Sequence, residues 1–202
     1  MAKGRFILIR HGETDANRRR CFADSDEIPL SDIGIQQARE VALLLASGCR
    51  AQILVSSHFL RARQTGEIIA EALRLATEAI PGLHERDFGC LKGHAYERMG
   101  ELMGSNDREP WRWKPEGGES LDDVRRRAIL VMESLRARYP GREIVVVCHG
   151  AVIQAICAHI TGVWTEASVP PNCGIVTIDY EEDVWGEPVL SGAWNPIAHS
   201  AR

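Results

Sequence analysis

The sequence has no long apolar run near its start, where only Phe6–Ile9 is continuously hydrophobic before charged residues follow. A run of this length is too short for the core of a signal peptide and far too short for a membrane span. We therefore expect a cytoplasmic protein without a membrane partner.

Closely spaced cysteine pairs are also missing. The six cysteines are scattered, and no two of them form a Cys-x-x-Cys pair. This pattern excludes the usual zinc-knuckle and redox spacings, so we expect buried or incidental thiols. The chain has no internal repeat, low-complexity tract or linker-like stretch, and we expect residues 1–202 to form a single domain.

An excess of positive charge is absent, because 24 Lys and Arg residues stand against 28 Asp and Glu residues, giving a formal net charge of -4. Binding to a phosphate backbone needs a positive field, so we do not expect nucleic acid as a partner. The 45% hydrophobic content excludes a disordered or collagen-like chain. Any anion-binding chemistry must therefore be local.

Four apolar runs predict buried strands, at Phe6–Ile9, Ile53–Val55, Thr77–Ile80 and Ile144–Val147, the third being the weakest. Continuous apolarity is what a strand covered on both faces requires. Between and after these runs the period becomes helical. The alternation of strands and helices predicts a three-layer α/β/α fold with an open, mainly parallel sheet.

The helices have readable starts and ends. The predicted helices run from an N-cap at Ser31 to near Gly48, from Leu60 to Leu73, onward from a capping box at Ser120 and Asp123, and from near Val152 to Thr161. The charged side of the third is expected to be a solvated face; it carries Arg125, Arg126, Arg127, Glu133 and Arg136. Residues 89–118 are too long for an ordinary connection and are expected to form a lid-like insertion.

Histidines and arginines follow the predicted strands. Three groups stand there: Arg10-His11-Gly12 after the first strand, Arg61 one turn into the helix after the second, and Cys148-His149-Gly150 after the fourth. Ligands bind at the carboxyl ends of strands in such sheets, so these groups predict a convergent cationic pocket. The glycine after each histidine allows a bulky anion to approach the backbone.

Phosphoryl transfer is the chemistry that this pocket suits, because guanidinium groups match the charge spread over the phosphoryl oxygens. One imidazole can act as the nucleophile if it is neutral, a state that Arg10 and Arg61 favour. The other imidazole can donate to a phosphoryl oxygen. Glu85, just after the third predicted strand, is the best-placed donor of a proton to the departing alcohol.

These motifs resemble, in order, the elements of the histidine phosphatase superfamily, which has the phosphoglycerate mutase-like fold. The resemblance rests on Arg10-His11-Gly12-Glu13-Thr14, Pro29-Leu30-Ser31, Ser56 to Thr65, Leu83 to Gly89, Pro115 to Ser120, Val147 to Gly150, Asn172-Cys173 and Asn195 to His199. His58 and Phe59 depart from the more usual Asp-Leu of the family, and the segment ending at Ser120 has one residue inserted or displaced.

The resemblance implies a role for each matching residue. It implies His11 as the phosphorylated nucleophile and Glu85 as the general acid and later the general base. It implies a phosphoryl-binding set of Arg10, Arg61 and His149, and a further substrate-binding set of Asn17, Gly150 and Glu13. For Asn17 a helix-capping role is the alternative. The resemblance implies no metal and no other cofactor, a small phosphorylated metabolite as partner, and allows a homodimer.

Three functions compete under this resemblance. A phosphomonoesterase passes the phosphoryl group to water, a phosphoglycerate mutase returns it to another hydroxyl of the same acid, and a binding protein transfers nothing. The nucleophile and acid positions are filled, which disfavours the third. The compact length favours the phosphatase branch, since the mutases that it resembles are longer. The substrate stays open among α-ribazole phosphate, sugar phosphates, phosphoserine, phosphoglycerate and a broad range.

Overall fold

The computed structural model describes residues 3–104, 109–164 and 169–191. In chain order the elements are β1 (Lys3–Arg10), α1 (Asp15–Arg18), α2 (Asp32–Ala46), β2 (Ile53–Ser57), α3 (Leu60–Leu73), β3 (Thr77–Ile80), α4 (Glu97–Met103), α5 (Leu121–Arg138), β4 (Glu143–Cys148), α6 (Gly150–Thr161), β5 (Ile175–Glu181), β6 (Val184–Trp185) and β7 (Val189–Ser191). Short 3₁₀ turns at Pro81–Leu83 and Gly89–Leu91 flank the segment that carries Glu85.

The strands form one sheet in the order β3-β2-β4-β1-β5-β6, with β7 also paired to β5. The strands β1 to β4 pair in parallel, whereas β5 runs antiparallel to β1. The predicted mainly parallel sheet is confirmed. The antiparallel strand β5 was not predicted, and it covers the edge of β1 that would otherwise be open.

Alternate residues of β1 enter two separate cores. Phe6 and Leu8 pack in the cluster that contains the buried residues of α5 and α6. Ile7 and Ile9 pack in the cluster that contains those of α2 and α3. Because side chains alternate across a strand, a continuous apolar run is what a sheet between two helical layers needs. The three-layer prediction is confirmed.

The strand at Thr77–Ile80 forms, but the prediction that it is buried is wrong. β3 pairs only with β2 at the edge of the sheet, and Thr77, Glu78 and Ala79 are exposed. An edge strand has a neighbouring strand on one side and solvent on the other, so its apolar run is short and weak.

Helix starts follow the predicted caps. The Ser31 hydroxyl accepts a hydrogen bond from the Gly34 N–H, and Ser120 and Asp123 form a reciprocal capping box. α6 begins at Gly150, two residues before the predicted start near Val152. No helix in the described ranges is long and apolar enough to cross a bilayer.

The insertion at 89–118 contains α4 and is attached to the chain that follows α1. The Phe22 N–H donates to the His94 carbonyl, and the Tyr96 N–H donates to the Arg20 carbonyl. These bonds bring Tyr96 and Met99 to the same side of the molecule as His11, where both line one cavity with it. The late motif from Asn195 to His199 lies outside the described residues.

Candidate active site

A cavity of about 460 Å³ lies beside the carboxyl ends of β1 and β4. Its lining includes most of the predicted site, namely Arg10, His11, Asn17, Arg61, Glu85 and Gly150. A larger open groove of about 900 Å³ lies at the opposite edge of the sheet, among ion-paired residues such as Arg5 and Asp179, and contains none of the predicted residues. Arg61 and Glu85 also line a neighbouring cavity of about 420 Å³, so the site chemistry lies at this edge of the sheet and not in the larger groove.

His11 follows β1 and is 3% exposed. Its Nδ1 lies 2.7 Å from the carbonyl oxygen of Gly12, so Nδ1 carries the proton and donates to that oxygen. The lone pair is then on Nε2. Burial, with the neighbouring charges of Arg61 and Arg10, lowers the pKa of His11 well below its ordinary value. His11 is thus a neutral imidazole with an unprotonated nitrogen.

His149 is completely buried, and its ring packs edge-on against that of His11 with centroids 5.1 Å apart. Its Nε2 lies 2.8 Å from the hydroxyl of Ser57, whereas Nδ1 is buried with no hydrogen-bond partner among the described residues. If the Ser57 hydroxyl donates to Nε2, Nδ1 carries the hydrogen and is an available donor. Burial and the Arg61 charge also lower the pKa of His149 well below its ordinary value.

Arg10 and Arg61 supply the positive charge. Arg10 donates to the Pro170 carbonyl through one Nη at 2.8 Å, while its Nε is buried without a protein partner. Arg61 is 2% exposed, and its guanidinium lies 5.0 Å from the centroid of the Phe59 ring. Burial lowers the pKa of both groups, and the Glu85 charge opposes this change. Arginine remains protonated in proteins, so one buried and one partly buried cation face the same cavity.

Glu85 lies opposite these cations. Its Oε1 accepts hydrogen bonds from the backbone N–H groups of Arg86, at 2.9 Å, and Ala151, at 3.3 Å. The two N–H groups therefore hold Oε1 in place. The loop after β3 and the first turn of α6 together orient this carboxyl group.

Asn17 has the capping role that was its alternative, and it also lines the cavity. Its Oδ1 accepts from the Thr14 N–H and from Asn172, and its Nδ2 donates to the Tyr96 hydroxyl at 3.3 Å. Asn172 donates also to the His11 carbonyl, at 3.0 Å. Asn17 therefore links the nucleophile loop to the insertion, and its contact with phosphate stays a prediction.

Glu13 does not line the cavity. Its carboxylate accepts a hydrogen bond from the Ser31 hydroxyl, and its carbonyl accepts from the Ser31 N–H. Glu13 thus docks the start of α2 against the nucleophile loop, and its predicted place as a pocket neighbour needs correction.

The two glycines after the histidines both allow another part of the chain to approach closely. A Cβ at Gly150 would lie 2.6 Å from a methyl carbon of Val169 in the cavity lining, and the contact of Gly150 with phosphate stays a prediction. A Cβ at Gly12 would lie 2.5 Å from the Gly34 carbonyl oxygen. Gly12 therefore allows the close approach of α2, and its role in the approach of an anion stays a prediction.

Several residues of the site were not predicted. Arg86 is 6% exposed and lines the cavity as a third guanidinium, directly after Glu85 in the chain. Thr65 accepts a hydrogen bond from the Gly12 N–H and donates to the Arg61 carbonyl, which joins two phosphoryl-binding loops. The rest of the wall is largely apolar and is formed by Phe22, Phe88, Tyr96, Met99 and Leu121. Adjacency to Glu85 was the one sequence signal available for Arg86.

Comparison with known proteins decides the family. The family model described as histidine phosphatase superfamily (branch 1) matches residues 6–189. The chain belongs to the histidine phosphatase superfamily. Among its relatives in this superfamily is a protein of Arabidopsis thaliana named "Metal-independent phosphoserine phosphatase", 28% identical across 96% of this chain and 82% of that protein.

Two further members of the superfamily bear on function. A Yersinia pestis protein named "Probable phosphoglycerate mutase GpmB" is 29% identical across 93% of this chain and 88% of that protein. A solved mycobacterial glucosyl-3-phosphoglycerate phosphatase is 26% identical, with a TM-score of 0.80 over 95% of this chain and 98% of that one. The phosphoglycerate mutase-like fold is therefore shared with proteins of more than one named activity.

Proposed function

We propose that this superfamily member is a metal-independent phosphomonoesterase that hydrolyses a small phosphorylated metabolite through a phosphohistidine on His11. The observation that carries the proposal is the His11 ring, whose Nδ1 donates to the Gly12 carbonyl while the ring lines a cavity together with Arg10 and Arg61. A neutral imidazole with one free lone pair is the form that attacks phosphorus. The phosphatase names among the relatives support the same activity.

In the first half-reaction, His11 Nε2 forms a bond to phosphorus as the bond to the alcohol oxygen breaks. Arg10 and Arg61 bind the equatorial oxygens, on which negative charge is spread. His149 donates through Nδ1, which satisfies a hydrogen-bonding atom that has no protein partner. Glu85 transfers its proton from Oε2 to the departing alcohol oxygen.

In the second half-reaction, water attacks the phosphohistidine. The Glu85 carboxylate takes one proton from the water as its oxygen bonds to phosphorus, and the bond to His11 Nε2 breaks. Phosphate is released, and both side chains return to their starting protonation states. The same carboxyl group therefore acts first as acid and then as base.

The charges of the site support the proposed metal independence. The three guanidinium groups of Arg10, Arg61 and Arg86 line one cavity, with Glu85 as the opposing carboxylate. Positive charge of this kind performs the neutralisation that a metal ion provides in other phosphoryl-transfer sites. We expect hydrolysis to persist in excess chelator, as the name of the Arabidopsis relative says of that protein.

The apolar wall bears on the alcohol part of the substrate. Tyr96 and Met99 from the insertion and Phe22 and Phe88 beside them line the cavity next to Glu85, where the alcohol must depart. Apolar and aromatic walls favour burial of carbon-rich groups. We therefore propose a partly apolar alcohol group over a small carboxylated one.

The mutase remains the second candidate, because one relative carries that name. Length does not separate the two functions, since this chain aligns with 88% of that protein. The two differ in whether water or a second hydroxyl accepts the phosphoryl group. Incubation with 3-phosphoglycerate and a bisphosphate primer, followed by phosphorus NMR, measures 2-phosphoglycerate and free phosphate together. Isomerisation faster than hydrolysis would overturn the phosphatase proposal.

The direct test is a panel of phosphomonoesters with the chelator EDTA present, read out as phosphate release. Rapid acid-free quenching and phosphorus NMR should show a phosphohistidine in the wild-type chain and none in His11→Ala. His94→Ala, at an exposed histidine outside the cavity, is the matched control and should leave the phosphohistidine in place.

A further inference from the structure

The guanidinium group of Arg127, on α5, uses all five of its N–H groups. Nε and Nη2 each lie 2.9 Å from a carboxylate oxygen of Glu119, in a bidentate pair. Nη1 donates to the carbonyl oxygens of Gly82, at 3.0 Å, and His84, at 2.7 Å. Nη2 donates as well to the carbonyl of Glu85 itself, at 3.1 Å. The sequence-based expectation of a solvated residue is wrong here, as the Arg127 side chain is only 17% exposed.

Glu119 binds the other side of the same loop. Its second carboxylate oxygen accepts from the Asp87 N–H at 2.9 Å, and its backbone N–H donates to the Asp87 carbonyl at 2.8 Å. Its own carbonyl accepts from Arg86 Nε, also at 2.8 Å. The Arg127–Glu119 pair thus contacts the chain on both sides of Glu85, at residues 82–85 and 86–87.

The loop has little other regular structure. Between the 3₁₀ turn that ends at Leu83 and the one that begins at Gly89, no residue lies in a helix or strand. Loops without such support are the more mobile parts of a fold. The carboxyl group of Glu85 depends on the Arg86 N–H, within this loop, and on the Ala151 N–H, on α6. Its direction is therefore set by where the loop backbone lies relative to α6.

We infer that Arg127, through its pair with Glu119, is a positioning residue that fixes the Glu85 carboxyl group for proton transfer to the departing alcohol. The inference rests on the proposed phosphatase function and adds a residue to it. Arg127 does not line the cavity, so it acts through the Glu85 backbone. Proton transfer is sensitive to such placement, and a misplacement of about 1 Å can cost on the order of 10²-fold in rate.

Leaving-group dependence separates this role from a general contribution to folding. p-Nitrophenyl phosphate releases an anion that needs no proton, whereas benzyl phosphate releases an alkoxide that does. We expect Arg127→Gln to lower kcat/KM for benzyl phosphate by on the order of 10²-fold and to lower that for p-nitrophenyl phosphate much less. Arg127→Lys keeps the charge without the planar fork, so its loss should be intermediate.

Arg126→Gln is the matched control. Arg126 neighbours Arg127 on α5, its side chain is 64% exposed, and its ion pairs within the described ranges are with Asp122 and Asp123 of the same helix. In Arg126→Gln, the ratio of kcat/KM for benzyl phosphate to kcat/KM for p-nitrophenyl phosphate should equal the wild-type ratio. Because Arg127→Gln leaves the Glu119 carboxylate unpaired, the double variant Glu119→Gln/Arg127→Gln is measured too, with circular dichroism and thermal unfolding as checks on folding.

A double-mutant cycle gives the decisive result. If Arg127 acts through Glu85, Glu85→Gln/Arg127→Gln should lose no more benzyl phosphate activity than Glu85→Gln alone. Additive losses in folded variants, or equal losses on both esters, would overturn the inference. A wild-type chain with no His11-dependent hydrolysis of either ester would instead overturn the proposed function, and the inference with it.

Discussion

The rings of His11 and His149 meet at an interplanar angle of 61° with centroids 5.1 Å apart, although 138 positions separate them in the chain. β1 and β4 are adjacent parallel strands, with Arg10 paired to Cys148, so the two histidines follow the same sheet edge. One nitrogen of each ring is taken by a fixed partner, the Gly12 carbonyl or the Ser57 hydroxyl. The other nitrogen of each ring is the one that the proposed phosphoryl chemistry uses.

His11→Ala should abolish the turnover of p-nitrophenyl phosphate, because no other imidazole can form the phosphoenzyme from the same position. The fold should persist, as measured by circular dichroism, since the lost ring makes its one hydrogen bond to the next residue. Retained turnover in a folded His11→Ala chain would exclude His11 as the nucleophile.

Glu85→Gln should lower kcat/KM for benzyl phosphate by about 10²-fold to 10⁴-fold, the range for a lost general acid. The loss on p-nitrophenyl phosphate should be smaller, since its leaving group is stable as an anion. Steady-state kinetics on both esters measure the difference. Glu116→Gln, at an exposed carboxylate outside the cavity, is the control, and equal losses on the two esters would remove Glu85 from the role of acid.

Ser57→Ala should lower kcat/KM about fivefold, the equivalent of one hydrogen bond of about 1 kcal/mol. The hydroxyl fixes which nitrogen of His149 bears the hydrogen, and a mixture of tautomers would lose the Nδ1 donor in part of the molecules. Inhibition by inorganic phosphate should weaken in parallel. Ser134→Ala, at an exposed serine on α5, should change neither quantity.

The free energy of unfolding should fall as the pH drops below about 6.5. Both histidines have a folded pKa well below their ordinary value, so the unfolded chain binds more protons in this range. The stability is complete above pH 6.5, and each histidine removes up to about 1.4 kcal/mol for each pH unit below it. Urea unfolding at several pH values measures the slope, which should decrease in His11→Gln/His149→Gln. An unchanged slope would contradict the assignment of two neutral rings.

Met99→Ala should reduce the preference for esters of apolar alcohols over esters of polar ones, because Met99 lines the cavity beside Glu85. We expect kcat/KM for benzyl phosphate to fall relative to that for phosphoserine by about tenfold, in line with about 1 to 2 kcal/mol for part of a buried apolar side chain. Met103→Ala, four residues later on the same helix and outside the lining, is the control. An unchanged ratio in Met99→Ala would show that the alcohol does not contact α4.

Part of the fold was predictable because local rules determine it. Continuous apolar runs mark strands with two covered faces, as at Phe6–Ile9, and the side-chain caps at Ser31 and Ser120 mark helix starts. The edge strand β3 and the antiparallel strand β5 have weaker sequence signals, because their side chains are not buried along the whole strand as those of the central strands are. Their places depend on which partner strand the chain offers, which no local pattern states.

Part of the site was predictable for a similar reason. Parallel strands end at one edge of the sheet, so Arg10, His11 and His149 had to converge once the strands were recognised. Arg127 and Glu13 show the limit of this argument. The sequence does not tell whether a charged residue on a helix, or a carboxylate within a motif, faces water or binds the backbone of a neighbouring loop.

The sequence by itself determined the element order, the helix caps, the local cationic pocket and the residue types that phosphoryl transfer needs. Only the tertiary structure decided which nitrogen of each histidine is free, which wall the alcohol would meet, and that Arg127 contacts the Glu85 loop. The physical reason is the separation along the chain over which each kind of interaction acts. Caps and periodicity act over a few residues along the chain, whereas hydrogen-bond partners, burial and the resulting pKa changes depend on segments brought together by folding.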